Sequence, residues 1–205
     1  MDTTDQQSGH KKVLNVGGNN KAIPLPPHFQ GWEHLLLDID PRGNPDIVCD
    51  ARTLTTLPPG QFDAVYCSHN LEHYYAHDAA LVLKGFLHVL KDDGFAHIRV
   101  PDIGQVMQMV VSRGLDIDDI LYQSGAGPIT VRDVIYGYGV QIERSGAEFF
   151  AHKTGFTPKS LSLLIARQGF PHIWARANIL EVEVFAFKGE VGECAADLSN
   201  FSCVL

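Results

Sequence analysis

The sequence predicts an α/β domain built on a doubly wound, mainly parallel sheet. Three observations carry that class. Short apolar runs end on glycines or carboxylates: Val13 to Val16 leads into Gly17 and Gly18, Leu35 to Leu37 into Asp38, and Ile47 to Cys49 into Asp50. A helical stretch with one apolar face separates two of the later runs. Strands that alternate with helices pair in parallel, because each helix returns the chain to the same sheet edge.

The first strand is Lys12 to Val16, and the next three are His34 to Asp38, Asp46 to Asp50 and Phe62 to Cys67. The first crossovers are short. Pro24, Pro26 and Pro27 forbid a helix after the first strand, since proline lacks the donor and clashes with the preceding turn. The link from Asp40 to Asp46 is also shorter than the dozen or so residues of a parallel crossover. Ala79, Val82, Leu83, Phe86, Leu87 and Leu90 then line one helical face, which Asp92-Asp93-Gly94 ends. Phe95 to Val100 is the fifth strand, closed by Pro101, and Ile103 to Ser112 suits a further helix. Thr130-Val131-Arg132-Asp133 has the pattern of a capping box. Thr157-Pro158 opens the last helix and Gly169 closes it. His172 to Ala175 and Leu180 to Phe187 form a final hairpin, which completes seven strands.

These elements divide the chain into a flexible N-terminus (1–11), one domain (12–188) and a mobile, small and polar C-terminal tail (189–205). Within the domain, the connection 115–157 is too long for a simple crossover and reads as a helical insert that recognises a substrate. A chain of 205 residues that is 45% hydrophobic supports one core. A net charge of −8 gives no electrostatic footprint for nucleic acid or an anionic membrane. Cys49, Cys67, Cys194 and Cys203 lack metal or redox spacing and read as free thiols. Met1 to Gly9 holds no apolar signal core, and no stretch is long enough to span a bilayer, so a cytoplasmic location is expected. The oligomeric state is open, with a homodimer compatible.

A strand that delivers a carboxylate at its carboxyl end suits a ribose diol, because an ionised carboxylate only accepts hydrogen bonds. Two such strands following a glycine turn read as the nucleoside-binding edge of the sheet. At this point the chain resembles the class I S-adenosylmethionine-dependent methyltransferases, most closely the small bacterial type 11 group. The resemblance runs through LNVGGNN (Leu14 to Asn20), LLLDIDP (Leu35 to Pro41), VCDA (Val48 to Ala51), FDAVYCSHNLEH (Phe62 to His73), LKDDGFAHIRVPD (Leu90 to Asp102) and AHKTGFT (Ala151 to Thr157). It implies a Rossmann-like methyltransferase fold with S-adenosyl-L-methionine as cofactor. Gly17 and Gly18 would let the backbone approach its methionine portion, with Asn15 and Asn19 in the same turn. Asp38 would hold the ribose, with Ile39 beside it. Asp50 would take the adenine amino group and the Ala51 amide a ring nitrogen, while Ser68 and Asn70 would stand where the methionine end meets the acceptor.

The acceptor is expected to be a small molecule methylated on oxygen or nitrogen. His73, just past the fourth strand, is the first candidate base, since imidazole titrates near neutral pH. Glu72, Asp102 and His152 are alternatives, and Lys153 shares the late segment with His152. His69, His73 and His77 have metal-ligand spacing on a continuous helix, but the residues at Ser68 to Asn70 are still leaving a strand, so no metal site is expected. Two rivals remain. The glycine motif, cut to Gly17-Gly18-Asn19-Asn20, fits a binding protein that lost the chemistry. A nicotinamide-dependent oxidoreductase is disfavoured because the full dinucleotide glycine spacing is missing.

Overall fold

A computed structural model describes residues 10–125, 127–191 and 197–204. Its main sheet begins with β1 (Lys12–Val16), β2 (Glu33–Asp38), β3 (Ile47–Val48), β4 (Phe62–Ser68) and β5 (Leu90–Pro101), all parallel. The antiparallel strands β8 (His172–Asn178), β9 (Glu181–Phe187) and β10 (Ser202–Cys203) complete it. The order is β10-β8-β9-β5-β4-β1-β2-β3. The carboxyl ends of β1 and β4 therefore meet where the strand order reverses, the position at which open α/β sheets bind ligands.

The prolines act as expected. Single 3₁₀ turns at Pro27–Phe29 and Pro41–Gly43, and a longer one at Ala51–Thr56, replace helices in the first three crossovers. The first true helix is α1 (Ala76–Val89), which buries Ala79, Val82, Leu83 and Phe86 of the face read from the sequence but ends before the expected Asp92-Asp93-Gly94 stop, since Leu90 already opens β5. Gly85 lies against Leu54, where any Cβ would collide with the leucine side chain, so the helix seats closely on the Ala51–Thr56 turn. Next come α2 (Ile103–Arg113), the hairpin β6 (Ile120–Ser124) and β7 (Gly127–Thr130), then α3 (Val131–Tyr136), α4 (Gly139–Ser145) and α5 (Pro158–Arg167). The expected capping box forms on Thr130 with Asp133, and the proline-led start at Thr157 proves to be a second one, with Ser160.

Two differences from the sequence reading concern the edges. The 115–157 insert is not purely helical, because the β6–β7 hairpin opens it. The tail is not wholly loose: β10 pairs with β8, and Phe201 is buried against Phe185. Nothing in the tail's polar composition announced that single anchoring aromatic. Residues 1–9 and Cys194 lie outside the described residues.

Alternation along the strands separates two cores. Val65, Cys67, Ile98 and Val184 face α1 and α5. Ala64, Tyr66, Phe95, Phe185 and Phe187 face an aromatic layer supplied by Phe29, Trp32 and Phe201. His97 stacks on Phe185 at 4.2 Å within that layer and bonds Glu183 at 2.8 Å. Among the described residues no helix is long and apolar enough to cross a membrane.

Candidate active site

Above the carboxyl ends of β1, β2 and β4 lies a cavity of 550 Å³, within the usual range for a small-molecule site. Gly17, Asn19, Asp38, Ile39, Asp50 and Asn70 line one end, and His69, His73, Tyr74, His152 and Lys153 line the other. The sequence thus brought together most of its cofactor set and two of its three catalytic candidates.

The nucleoside end is built from turns that fold on themselves. Gly17 has φ +70° and lies against the Asn70 side chain, so a Cβ there would be both strained and blocked. Asn19, at φ +60°, takes the left-handed conformation that asparagine tolerates. Its amide donates to Asp38 Oδ2 at 3.0 Å, and the Asp40 amide donates to Oδ1 at 2.9 Å. An ionised carboxylate has about four acceptor positions, so Asp38 retains acceptor capacity for a diol. Ile39 is 44% exposed and offers an apolar surface beside it.

Asp50, expected to take the adenine amino group, lines the cavity and is engaged by its own neighbour. Arg52 closes on it through Nε at 3.0 and 3.1 Å and Nη2 at 2.5 Å, with the Arg52 amide at 3.0 Å. Those bonds hold the Asp50 carboxyl below its ordinary range. Arg52 reaches on to Asp78 at 3.4 Å. Asp40 and Arg42 repeat the arrangement one turn earlier. The sequence reading missed Arg52, although the recurring Asp-x-Arg at Asp40-Pro41-Arg42 and Asp50-Ala51-Arg52 was visible.

Other expected residues stand behind the wall. Asn15 bonds the His34 ring at 3.2 Å and lies under Gly18; Ala51 is buried; and none of these, nor Ser68, lines the cavity. Asp102 is corrected from candidate acid or base to helix cap. It is buried, accepts from the Gly104 and Gln105 amides at 2.9 and 3.2 Å, and takes the Gln105 side chain on its second oxygen at 2.9 Å. Tyr138, Gln141, Phe149 and Phe150 enter from the insert and were not singled out. Their distance in sequence from the strand motifs hid them.

The other end turns on Glu72. His69 takes φ +49° as the chain leaves β4, and a 3₁₀ turn at Leu71–His73 follows. The Glu72 carbonyl accepts from the Lys153 and Thr154 amides at 2.8 and 3.2 Å, which fastens the AHKTGFT segment over the cavity. The Glu72 side chain is 2% exposed, yet neither oxygen has a hydrogen-bond partner. His69 Nδ1 stands 3.6 Å from Oε1 and His152 Nε2 stands 4.0 Å away. Burial alone would raise the Glu72 carboxyl; His69, His73 and His152 outweigh it and hold the group below its ordinary value. Burial opposes charge on His69 too, but its side chain is 51% exposed, and Glu181 at 3.0 Å with Glu72 raises it to about 9. His152 is lowered, chiefly by burial. His77 is remote from this group: it stacks on Tyr75 at 5.9 Å, so the His69, His73, His77 alignment does not form. His73 packs against His152 instead, with ring centroids 4.8 Å apart.

A family model described as a methyltransferase domain matches residues 32–98, from the start of β2 through most of β5. That stretch, a third of the chain, is similar to class I methyltransferase domains of the type 11 group. S-adenosyl-L-methionine is the cofactor of this enzyme class, and the match sets the nicotinamide reading aside. Solved structures agree on the fold. An S-adenosylmethionine-dependent methyltransferase from Archaeoglobus fulgidus aligns with TM-score 0.54 at 16% identity, over 88% of this chain and 87% of that one. One from Methanosarcina mazei aligns with TM-score 0.55 at 16% identity, over 88% and 93%. The 1,6-didemethyltoxoflavin-N1-methyltransferase of Burkholderia thailandensis, solved with S-adenosylhomocysteine, aligns with TM-score 0.51 at 15% identity, over 88% and 72%. No curated protein matches the sequence.

Proposed function

We propose that this methyltransferase domain acts on an oxygen or nitrogen of a small acceptor. The observation that carries the reading is one cavity with two chemically distinct ends: Gly17, Asp38 and Ile39 at the nucleoside end, His73 and His152 at the other. The donor chemistry fits S-adenosylmethionine, because Asp38 keeps acceptor positions for a ribose diol. When bound, the cofactor supplies a sulfonium methyl that passes in line to the acceptor atom, the broken C–S bond leaving its electron pair on sulfur.

The chain's own groups supply alignment, the main lever available for such a displacement. Asp38 and the Gly17 turn fix the donor. Phe149, Phe150 and Tyr138 offer flat surfaces to an acceptor ring, and the Lys153 ammonium, 5.5 Å above the Tyr75 ring, offers charge. Calorimetric titration with S-adenosylhomocysteine is the test, followed by mass-spectrometric screening of hydroxyl- and amine-bearing small molecules for a methyl gain. Absence of nucleoside binding by the folded chain would overturn the proposal.

A further inference from the structure

A fully buried carboxylate with two unpartnered oxygens is an expensive thing for a fold to carry, since desolvation of a charge is normally offset by direct hydrogen bonds. Glu72 is such a group. His69 pairs with it at the longer distance of 3.6 Å, and two further imidazoles stand beside it. His73 Nδ1 is 3.3 Å from the Ala151 carbonyl, and His152 Nδ1 is 2.9 Å from the Val134 carbonyl. A carbonyl only accepts, so each Nδ1 carries the proton and each Nε2 keeps its lone pair. A backbone carbonyl that fixes the tautomer in this way is the usual support of a metal-ligating histidine. One ligand atom from each of Glu72, His73 and His152 lies within 4.8 Å of the others.

We propose that Glu72, His73 and His152 hold a divalent first-row transition-metal ion whose open positions take the hydroxyl oxygen of the methyl acceptor. Two imidazoles and one carboxylate suit such ions better than magnesium or calcium, which favour all-oxygen sites. Metal–ligand bonds of about 2.0–2.2 Å require the donors to draw together by roughly 1 Å, a side-chain adjustment. His69 is left out of the ligand set because the mutually close ligand atoms are those of Glu72, His73 and His152.

The proposal rests on the acceptor-end reading above and narrows it to oxygen. The ion stabilises the hydroxyl's conjugate base. The O–H bond breaks with its pair left on oxygen, the proton passes to water, and that pair forms the new C–O bond as the C–S pair returns to sulfur. On this account His73 is a ligand and not the base that its position in the sequence suggested.

The test uses the untagged full chain, stripped with EDTA and titrated with Co²⁺ by visible absorption and with Zn²⁺ by calorimetry. One ion per chain is expected. His152→Gln and Glu72→Gln should each weaken binding at least about tenfold, whereas His77→Gln should bind as the parent does. Melting curves verify folding; if Glu72→Gln fails to fold, His152→Gln decides alone. No saturable binding by the folded chain, or parental affinity in the folded ligand variants, overturns the site. S-adenosylhomocysteine affinity, measured in parallel on stripped protein, separates the two readings. Nucleoside binding without metal binding defeats only this inference, whereas metal binding without nucleoside binding defeats the methyltransferase proposal and the acceptor role given to the ion, and leaves the metal site itself standing.

Discussion

The two ends of the cavity treat their carboxylates in opposite ways. At the nucleoside end Asp38, Asp40 and Asp50 each accept from the amide two residues on, and Asp40 and Asp50 also bind the arginine at that position. Those carboxylates are satisfied by local sequence before any ligand arrives. At the acceptor end Glu72 is more deeply buried, and its carboxyl oxygens have no hydrogen-bond partner. Local satisfaction makes a preformed, rigid surface. A buried carboxylate held by the longer His69 ion pair, with no hydrogen bond of its own, leaves oxygens that a ligand can engage.

The largest expected effect probes the acceptor end. Whether His73 holds the proposed ion or, without one, takes the acceptor's proton, His73→Gln should lower turnover by about 10²–10⁴-fold, read as S-adenosylhomocysteine formation with an accepted substrate, while cofactor affinity stays at the parental value. Equal losses in both would erase the distinction between the ends. Asp38→Ala comes next and should weaken S-adenosylhomocysteine binding by about 1.5–3 kcal/mol in calorimetry; unchanged affinity would remove the nucleoside end as drawn. Arg52→Ala should have the smallest effect on binding, within about 1 kcal/mol, because it releases an Asp50 carboxylate that adenine can then use. A loss as large as that of Asp38→Ala would show that the arginine itself contacts the cofactor.

A pH series keeps the far face of the sheet out of these comparisons. His28 is lowered to about 4, by burial first and by His97 second. Below the ordinary histidine value the unfolded chain binds the proton that folded His28 refuses, so stability falls as pH drops from 6.5 toward 4. Glu183 resists burial through His97, Asn178 and Arg176 and sits at about 2, so its contribution, full above 4.5, is lost as pH falls toward 2. Melting temperature should therefore decline in acid, and His28→Gln should flatten the upper part of that decline. An unchanged slope in His28→Gln would return the acid sensitivity to the cavity.

Most strands and the Thr130 capping box were legible because their signals are local: alternation, proline placement, and a hydroxyl three residues before its partner. The place of Asp38 and Gly17 at the cavity was legible for the same reason, each closing its own strand. The role of Asp102 was misread because a strand-end carboxylate and a helix cap look alike in sequence. The acceptor end was read only in part. His73 and His152 were each noticed, but their neighbour relation depends on the Lys153 and Thr154 amides meeting the Glu72 carbonyl across some eighty positions. Phe201 escaped notice because a single aromatic in a polar segment has no period to reveal it.

Glu72 also has a bearing on how such a site could be gained or lost in descent. Its main-chain carbonyl fastens Lys153 and Thr154, a duty any amino acid in that turn can perform, while its side chain alone faces the histidines. Architecture and chemistry are thus written in separate atoms of one residue. A lineage can exchange the carboxylate for an amide or an aliphatic group and keep the loop in place.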